Sequence, residues 1–154
     1  MLTVLSMIKG SMRIVWVLIV FIAFIYILAL VYVTLGARTQ SKNYVYNIEP
    51  LWTYYDIIIN KKYYLLWEDV ANAMMFLPLG MFLRNFFGKR IHWYGSAVIG
   101  LLLSMAIELI QLVTKRGFCD IDDLIHNTIG VLIGYFLTLG IQIMVKKWRT
   151  ILKK

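Results

Sequence analysis

The sequence predicts an all-α membrane protein, a polytopic bundle of four transmembrane helices with an extracytoplasmic interfacial segment. Composition is the first observation behind this prediction. The chain of 154 residues is 61% hydrophobic and only 16% charged, whereas soluble domains carry about a quarter charged residues. The second observation is that the apolar residues gather into runs near the length that crosses a hydrocarbon core, about 20 residues of α-helix. At this length a single domain covering residues 1–154 is expected.

Four apolar runs are the candidate spans, at residues 14–35, 68–87, 91–114 and 121–145. The first follows Lys9 and Arg13 and is longer than the apolar core of a usual signal peptide. The second is the shortest and contains Asn72 and Pro78. It reaches a spanning length only if Arg84 extends its charge to the interface, so a re-entrant hairpin is the alternative for this run.

The basic residues orient the predicted bundle. If both termini are cytoplasmic, more of the Lys and Arg residues fall on the inner side, including those of the basic tail at 146–154. The loop at 36–67 is then extracytoplasmic. It is rich in Tyr and Trp, which favour the headgroup level, and residues 51–67 fit an amphipathic helix lying along the interface.

The net charge of +8 points to membrane lipids as partners and not to nucleic acid, because the basic residues flank apolar runs. Cys119 is the only cysteine, so an intramolecular disulfide is excluded. The sequence contains neither a phosphate-binding or dinucleotide-binding glycine loop nor a Cys/His spacing typical of metal sites. No cofactor and no metal are therefore predicted, and the oligomeric state stays open.

Polar residues collect near the loop that joins the third and fourth spans. Helical spacing places two stripes there, each within about 60° to 80° of arc. One stripe consists of Ser104, Glu108 and Gln111, and the other of Asp120, Asp123, Asn127, Gly130 and Gly134. Asp122 points away from the second stripe. If the two spans form an antiparallel hairpin, Glu108 and Asn127 lie level, each about 10 Å along its helix from the loop.

Close packing of the hairpin is also predicted. Ser96, Gly100 and Ser104 repeat every four residues and lead to Glu108, while Gly130 and Gly134 repeat on the facing helix. Small residues let membrane helices approach and let polar side chains meet. The second span brings Asp69 and Asn72 to the same side, so acids and amides from three helices are expected to converge just below the outer surface.

Structural explanations stand beside functional ones for these residues. Asp120 and Asp123 have the spacing of a helix N-cap with an acid in the first turn. Glu108 is either an interhelical hydrogen-bonding residue or a functional group, since ionisable residues inside membranes are usually functional. The candidate binding residues are Asn72, Ser104, Glu108, Gln111, Asp120, Asp123 and Asn127. Glu108 and Asp123 are also the candidates for catalysis.

These motifs resemble the signature of the VanZ-like family of small bacterial membrane proteins. The family pattern has Glu-x-x-Gln near the end of one span and Asp-x-x-Asp-x-x-x-Asn-Thr-x-Gly opening the next. The matching residues are Glu108 and Gln111, followed by Asp120, Asp123, Asn127, Thr128 and Gly130. The upstream matches are Asn47, Pro50, Asn72, Phe76, Pro78 and Gly80, and Ser104 also fits. The resemblance covers about residues 47–134.

The resemblance implies a place in the bacterial cell membrane and a role in the response to glycopeptides that carry a lipid tail, such as teicoplanin. A non-enzymatic accessory protein is expected, with an outer-leaflet polar cleft that binds a lipoglycopeptide or a lipid-linked wall precursor. An intramembrane enzyme acting on a lipid-linked wall substrate, with Glu108 and Asp123 as acid and base, is the alternative. A transporter component that uses Glu108 as a proton or cation site is a third possibility.

Overall fold

The structure, a computed structural model, describes residue 17 and residues 20–152, apart from the side chain of Lys89. The described chain divides into two compact units, one ending at Thr39 and one beginning at Gln40. The first unit contains helix α1 (Val20–Gly36), whose last five residues, Tyr32–Gly36, are π-helical. The predicted span at 14–35 begins outside the described residues, and α1 is the part of it that can be described.

The second unit consists of helices and two very short strands. Its elements are α2 (Trp52–Ile59), α3 (Tyr64–Phe87), α4 (Trp93–Thr114), α5 (Ile121–Ile151), β1 (Tyr46–Asn47) and β2 (Cys119–Asp120). A 3-10 turn, Gly88–Arg90, joins α3 to α4. Helices α3, α4 and α5 are long and apolar enough to cross a membrane. The all-α fold class is therefore confirmed, and these three helices correspond to the second, third and fourth predicted spans.

Helix α3 decides between the two structures predicted for the second span. It is one continuous helix of 24 residues, about 36 Å long at 1.5 Å per residue. Pro78 lies inside it and does not end it, so the re-entrant hairpin is wrong. The helix begins at Tyr64, four residues before the predicted start. The predicted interfacial helix at 51–67 is accordingly shorter, because α2 ends at Ile59 and a turn separates it from α3.

Helix α5 extends beyond its predicted end at residue 145. It has 31 residues, about 46 Å of helix, against a hydrocarbon core of about 30 Å. The sequence beyond residue 145 is basic but contains good helix formers, and water can solvate its surface. Much of the predicted basic tail is thus the last two turns of α5 and not an irregular segment.

The loop between α4 and α5 is tied to the chain before α2. Helix α4 ends at Thr114 and is capped by Lys115, which adopts a left-handed conformation with φ 54°. Strands β1 and β2 then pair in parallel, with Tyr46 opposite Cys119 and Asn47 opposite Asp120. Ser41 N also donates to the Lys115 carbonyl at 2.8 Å. This pairing, which the sequence did not predict, fixes the chain before α2 against the hairpin loop.

Glycines bring α5 into backbone contact with α3. A Cβ atom on Gly130 would lie 2.0 Å from the carbonyl oxygen of Ala73, and one on Gly134 would lie 2.0 Å from that of Leu77. Both glycines were predicted to face α4, and that prediction is wrong. Helix α5 packs against two neighbouring helices. Gly130 and Gly134 contact α3, while Val131 packs against Gly100 of α4.

Candidate functional site

Polar side chains from four elements meet where α2, α3 and α5 begin and α4 ends. We call this group the polar cluster. Its members are Asp69, Asn72, Ser104, Glu108, Asp120, Asp122, Asp123, His126 and Asn127. Seven of these members are buried and belong to α3, α4 or α5, helices that are otherwise apolar: Asp69, Asn72, Ser104, Glu108, Asp122, His126 and Asn127. Buried polar groups of this kind are expected to be hydrogen-bonded, and most of these are.

Glu108 lies in the last turns of α4 and is buried. Its Oε2 accepts a hydrogen bond of 2.9 Å from the backbone N–H of Asp120. The Cys119 thiol lies beside the same carboxyl group; burial raises the pKa of Cys119, and the negative charge of Glu108 raises it further. Glu108 therefore holds the hairpin loop onto the end of α4, which agrees with the structural explanation of this residue.

Asp120 makes two kinds of contact. Its Oδ1 accepts from the backbone N–H of Asp122 at 2.9 Å, which is the predicted N-cap of α5. Its carboxylate also accepts from Nε1 of Trp52, at 2.8 and 2.9 Å to the two oxygens. Burial raises the pKa of Asp120, while the hydrogen bonds from Asp122 and Trp52 act in the opposite direction. The cap of α5 is thereby also an anchor for α2.

Asp122 is the residue that sequence reasoning missed. It was predicted to point away from the second stripe, and it does so in order to reach the start of α2. Its Oδ1 accepts from Leu51 N at 2.6 Å, and its Oδ2 accepts from Thr53 N at 3.1 Å and Thr53 Oγ1 at 2.7 Å. The carboxylate thus caps a helix 70 residues away in sequence, satisfying N–H groups that a helix start leaves free.

The amides connect α5 to both neighbours. Asn72 Nδ2 donates to Asp123 Oδ1 at 2.5 Å, joining α3 to α5. Asn127 Nδ2 donates to Ser104 Oγ at 2.8 Å, joining α5 to α4. Asn127 thus bonds to Ser104, one turn before Glu108 in α4, and the level depth of Glu108 and Asn127 stays a prediction.

Gln111 is buried at the end of α4. Its backbone carbonyl accepts from Arg116 N at 2.9 Å, which closes the end of that helix. Six of the seven predicted binding residues thus have a named contact within the polar cluster, and Gln111 lies one turn beyond Glu108 on the same buried face.

A curated relative matches part of the chain. It is Protein VanZ of Enterococcus faecium, 36% identical over 67 residues, which is 44% of this chain and 41% of that protein. No solved structure matches the chain at a significant level. The family comparison covers much more, because the chain matches VanZ/LLP1 over residues 13–144. The chain belongs to the VanZ/LLP1 family. The predicted resemblance is therefore confirmed.

In this member of the VanZ/LLP1 family, a further chain of side chains crosses the polar cluster. The Tyr54 hydroxyl lies 2.9 Å from His126 Nε2, and His126 Nδ1 lies 3.4 Å from Asp69 Oδ1. Both His126 and Asp69 are 5% exposed. In the sequence, His126 has no second His or Cys at the spacing of a metal site. The sequence carries no signal for its partners, because Tyr54 and Asp69 lie on separate helices.

The described residues of this VanZ/LLP1 protein include no group of three or more His, Cys, Asp or Glu side chains placed to hold a metal ion. Four carboxylates of the polar cluster instead accept hydrogen bonds from protein N–H and O–H groups, those of Glu108, Asp120, Asp122 and Asp123. What the arrangement can do chemically is present a preorganised set of acids, amides and one histidine, bordered by the aromatic residues of α2, at one end of an apolar bundle.

Proposed function

We propose that the polar cluster binds the polar part of an amphiphile at the outer surface of the bacterial cell membrane. The chain would act there as an accessory protein in resistance to teicoplanin-like lipoglycopeptides or in envelope homeostasis. The observation that carries the proposal is the convergence of buried acids and amides from α3, α4 and α5 at a single end of the bundle. Burying such groups among apolar helices is costly, and ionisable residues in membrane segments usually mark a functional site.

The surroundings of the cluster support an amphiphilic ligand. Helix α2 covers the cluster through Trp52 and Thr53, and its neighbouring side chain Tyr55 is 64% exposed. Trp67, at the start of α3, is 74% exposed. Aromatic side chains favour the boundary between headgroups and acyl chains. A ligand with a polar head and an apolar tail would therefore find partners for both parts next to each other.

The outward position of the cluster follows from the distribution of Lys and Arg, which favours cytoplasmic termini. The relative named Protein VanZ supports the connection with resistance, and the link to lipid-tailed glycopeptides comes from the family resemblance. Membrane lipids would contact the exposed apolar faces of α3, α4 and α5, and a lipoglycopeptide or a lipid-linked wall precursor would be the ligand of the cluster.

The alternative is an intramembrane enzyme with Glu108 and Asp123 as acid and base. It receives less support, since Glu108 accepts the Asp120 amide and Asp123 accepts the Asn72 amide. Both carboxylates are thereby engaged in holding the bundle together. Proton transfer would require Glu108 and Asp123 to act individually, whereas binding can be shared among all the side chains of the cluster.

The test is a susceptibility panel in a strain that lacks the gene and is complemented with variants. Teicoplanin and a tail-less glycopeptide are compared for wild type, Glu108→Gln and Asp123→Asn. The matched control is Asp56→Asn, which changes a residue of α2 that pairs with Lys62 outside the cluster. We expect both cluster variants to lose protection against the lipid-tailed compound while the control keeps it, at equal amounts of protein in the membrane. Full protection in both cluster variants would refute the proposal.

A further inference from the structure

Two members of the polar cluster, Asp69 and His126, differ from its other ionisable residues in their contacts. Glu108, Asp120 and Asp122 each accept a backbone N–H that would otherwise be buried without a partner, namely those of Asp120, Asp122 and Thr53. Asp69 and His126 instead face each other, and among the described residues Asp69 Oδ2 and His126 Nδ1 are buried without a hydrogen bond. Incompletely satisfied buried groups are uncommon in native proteins and call for an explanation.

The Tyr54 hydroxyl links this buried pair to the surface. Tyr54 is 39% exposed, whereas His126 and Asp69 lie behind it. Burial raises the pKa of Tyr54, and the charges of Asp69 and Asp122 raise it further, so the group is a neutral hydroxyl near pH 7. Its oxygen therefore lies in a region of negative potential and has both a proton to donate and lone pairs to offer.

The protonation state of His126 sets which way the Tyr54 hydroxyl points. When His126 is neutral, the negative charge of Asp69, whose Oδ1 lies 3.4 Å from Nδ1, favours the imidazole proton on Nδ1, and Nε2 accepts the Tyr54 proton. The Tyr54 oxygen then presents only lone pairs outward. When His126 is protonated, Nε2 becomes a donor to the Tyr54 oxygen, and the hydroxyl proton must turn outward. The same side chain thus offers an acceptor in the first state and a donor in the second.

We propose that Tyr54, His126 and Asp69 form a pH-dependent site for an ammonium group, such as the primary amine of an amphiphile's headgroup. The ammonium N–H donates to the Tyr54 oxygen when His126 is neutral. The inference rests on the proposed binding of an amphiphile by the polar cluster and specifies the head group that it takes. The negative charges nearest to His126 and Asp69 favour a cation: Glu68 on the same helix as Asp69, and Asp120 and Asp122 at the start of α5.

Acidification is expected to release the ligand for two reasons that act in the same direction. Protonation of His126 turns the Tyr54 proton toward the ammonium group, and it also neutralises the charge of Asp69. If only the state with neutral His126 binds, acidification lowers the apparent affinity in proportion to the fraction of His126 that stays neutral. By linkage, bound ammonium must favour the neutral state of His126.

The test uses nuclear magnetic resonance of ¹⁵N-histidine in the full chain, held in phosphatidylcholine nanodiscs. His92, the other histidine, is replaced by Gln so that every signal belongs to His126. In the absence of ligand we expect Nδ1 to carry the proton and Nε2 to be an acceptor. Tyr54→Phe should change the Nε2 signal, and Tyr55→Phe, its exposed neighbour on α2, should not.

The ligand probes are short-chain phosphatidylethanolamine, which has ammonium N–H donors, and short-chain phosphatidylcholine, which is cationic but has none. We expect the ethanolamine lipid to extend the ¹⁵N signals of the neutral His126 ring to lower pH, and the choline lipid to leave them unchanged. Tyr54→Phe should remove the effect, and the isosteric Asp69→Asn should weaken it at least tenfold. Equal responses to the two lipids, or equal responses of the Tyr54→Phe and Tyr55→Phe variants, would overturn the proposal.

The two proposals fail separately. Loss of protection in the Glu108→Gln and Asp123→Asn strains, together with equal responses to the two lipids, would keep amphiphile binding and remove the ammonium site. Unchanged susceptibility with a selective response to phosphatidylethanolamine would keep the ammonium site and remove the role in glycopeptide resistance.

Discussion

Replacing Asp122 with Ala should release the start of α2 from the bundle. The Asp122 side chain is fully buried, and its two oxygens accept three hydrogen bonds, from Leu51 N, Thr53 N and Thr53 Oγ1. Helix α2 has only eight residues, and helices shorter than about 12 residues are marginal in water on their own. Its persistence therefore depends on contacts with the bundle.

The magnitude follows from the hydrogen bonds that are lost. Each bond to a charged group contributes about 1.5–3 kcal/mol. The Thr53 hydroxyl can turn to another acceptor, so only the two backbone bonds are counted. Because Leu51 N is part-buried, each is taken at the lower end of the range, which gives a loss of about 3 kcal/mol. Since about 1.4 kcal/mol corresponds to a tenfold change in an equilibrium constant, the local opening of α2 should become roughly a hundredfold more frequent.

Hydrogen exchange measured by mass spectrometry in nanodiscs detects this opening. We expect peptides covering the first turn of α2 to lose protection by roughly a hundredfold in Asp122→Ala, while the centre of α4 keeps its protection. Asp56→Ala, which removes a carboxylate of α2 that pairs with Lys62, is the control and should leave the first turn unchanged. A change of less than about threefold in Asp122→Ala would show that the cap does not hold α2.

Three further predictions test other parts of the fold. Gly134→Ala should destabilise the protein by about 1–3 kcal/mol, measured by thermal unfolding, because its Cβ would meet an α3 carbonyl, whereas Gly140→Ala has open space and should be neutral. Cys119 should react slowly with a membrane-impermeant maleimide added to whole cells, and Glu108→Gln should speed the reaction, since burial and then the Glu108 charge raise the pKa of this thiol; absence of labelling in both would contradict an outward hairpin. Burial raises the pKa of Asp120 above its ordinary 3.8, so between these two pKa values the folded state binds more protons than the unfolded state. The free energy of unfolding should therefore fall as pH rises through this range, and Asp120→Asn should reduce its dependence on pH.

The sequence was sufficient for the helices and for the end of the bundle at which polar residues gather. Hydrophobic run length predicted α3, α4 and α5, because an apolar segment of that length has few alternatives in a membrane. Helical spacing predicted the two polar stripes, and the Asp120 cap followed from its place at a helix start. These features depend on residues close together in the chain, which is where periodicity carries information.

The features that the sequence could not give depend on contacts across the chain. A stripe shows that Gly130 and Gly134 share a face, but not that the face meets α3 in place of α4. The cap of α2 by Asp122 requires the pairing of β1 with β2, and two-residue strands leave no recognisable pattern. His126 and Asp69 come together only because α3 and α5 approach closely, a distance set by Gly80, Gly130 and Gly134.

The carboxylates of the hairpin have a common structural cause. Where α4 gives way to α5, the chain leaves helical geometry next to an apolar bundle, and the first residues of α2 do the same beside it. Backbone groups freed from helices at that depth need partners from within the protein. Glu108, Asp120 and Asp122 supply those partners for the amides of Asp120, Asp122, Leu51 and Thr53. Among the described residues Asp69 serves no backbone amide in this way and faces His126 instead, which is the observation behind the proposed ammonium site.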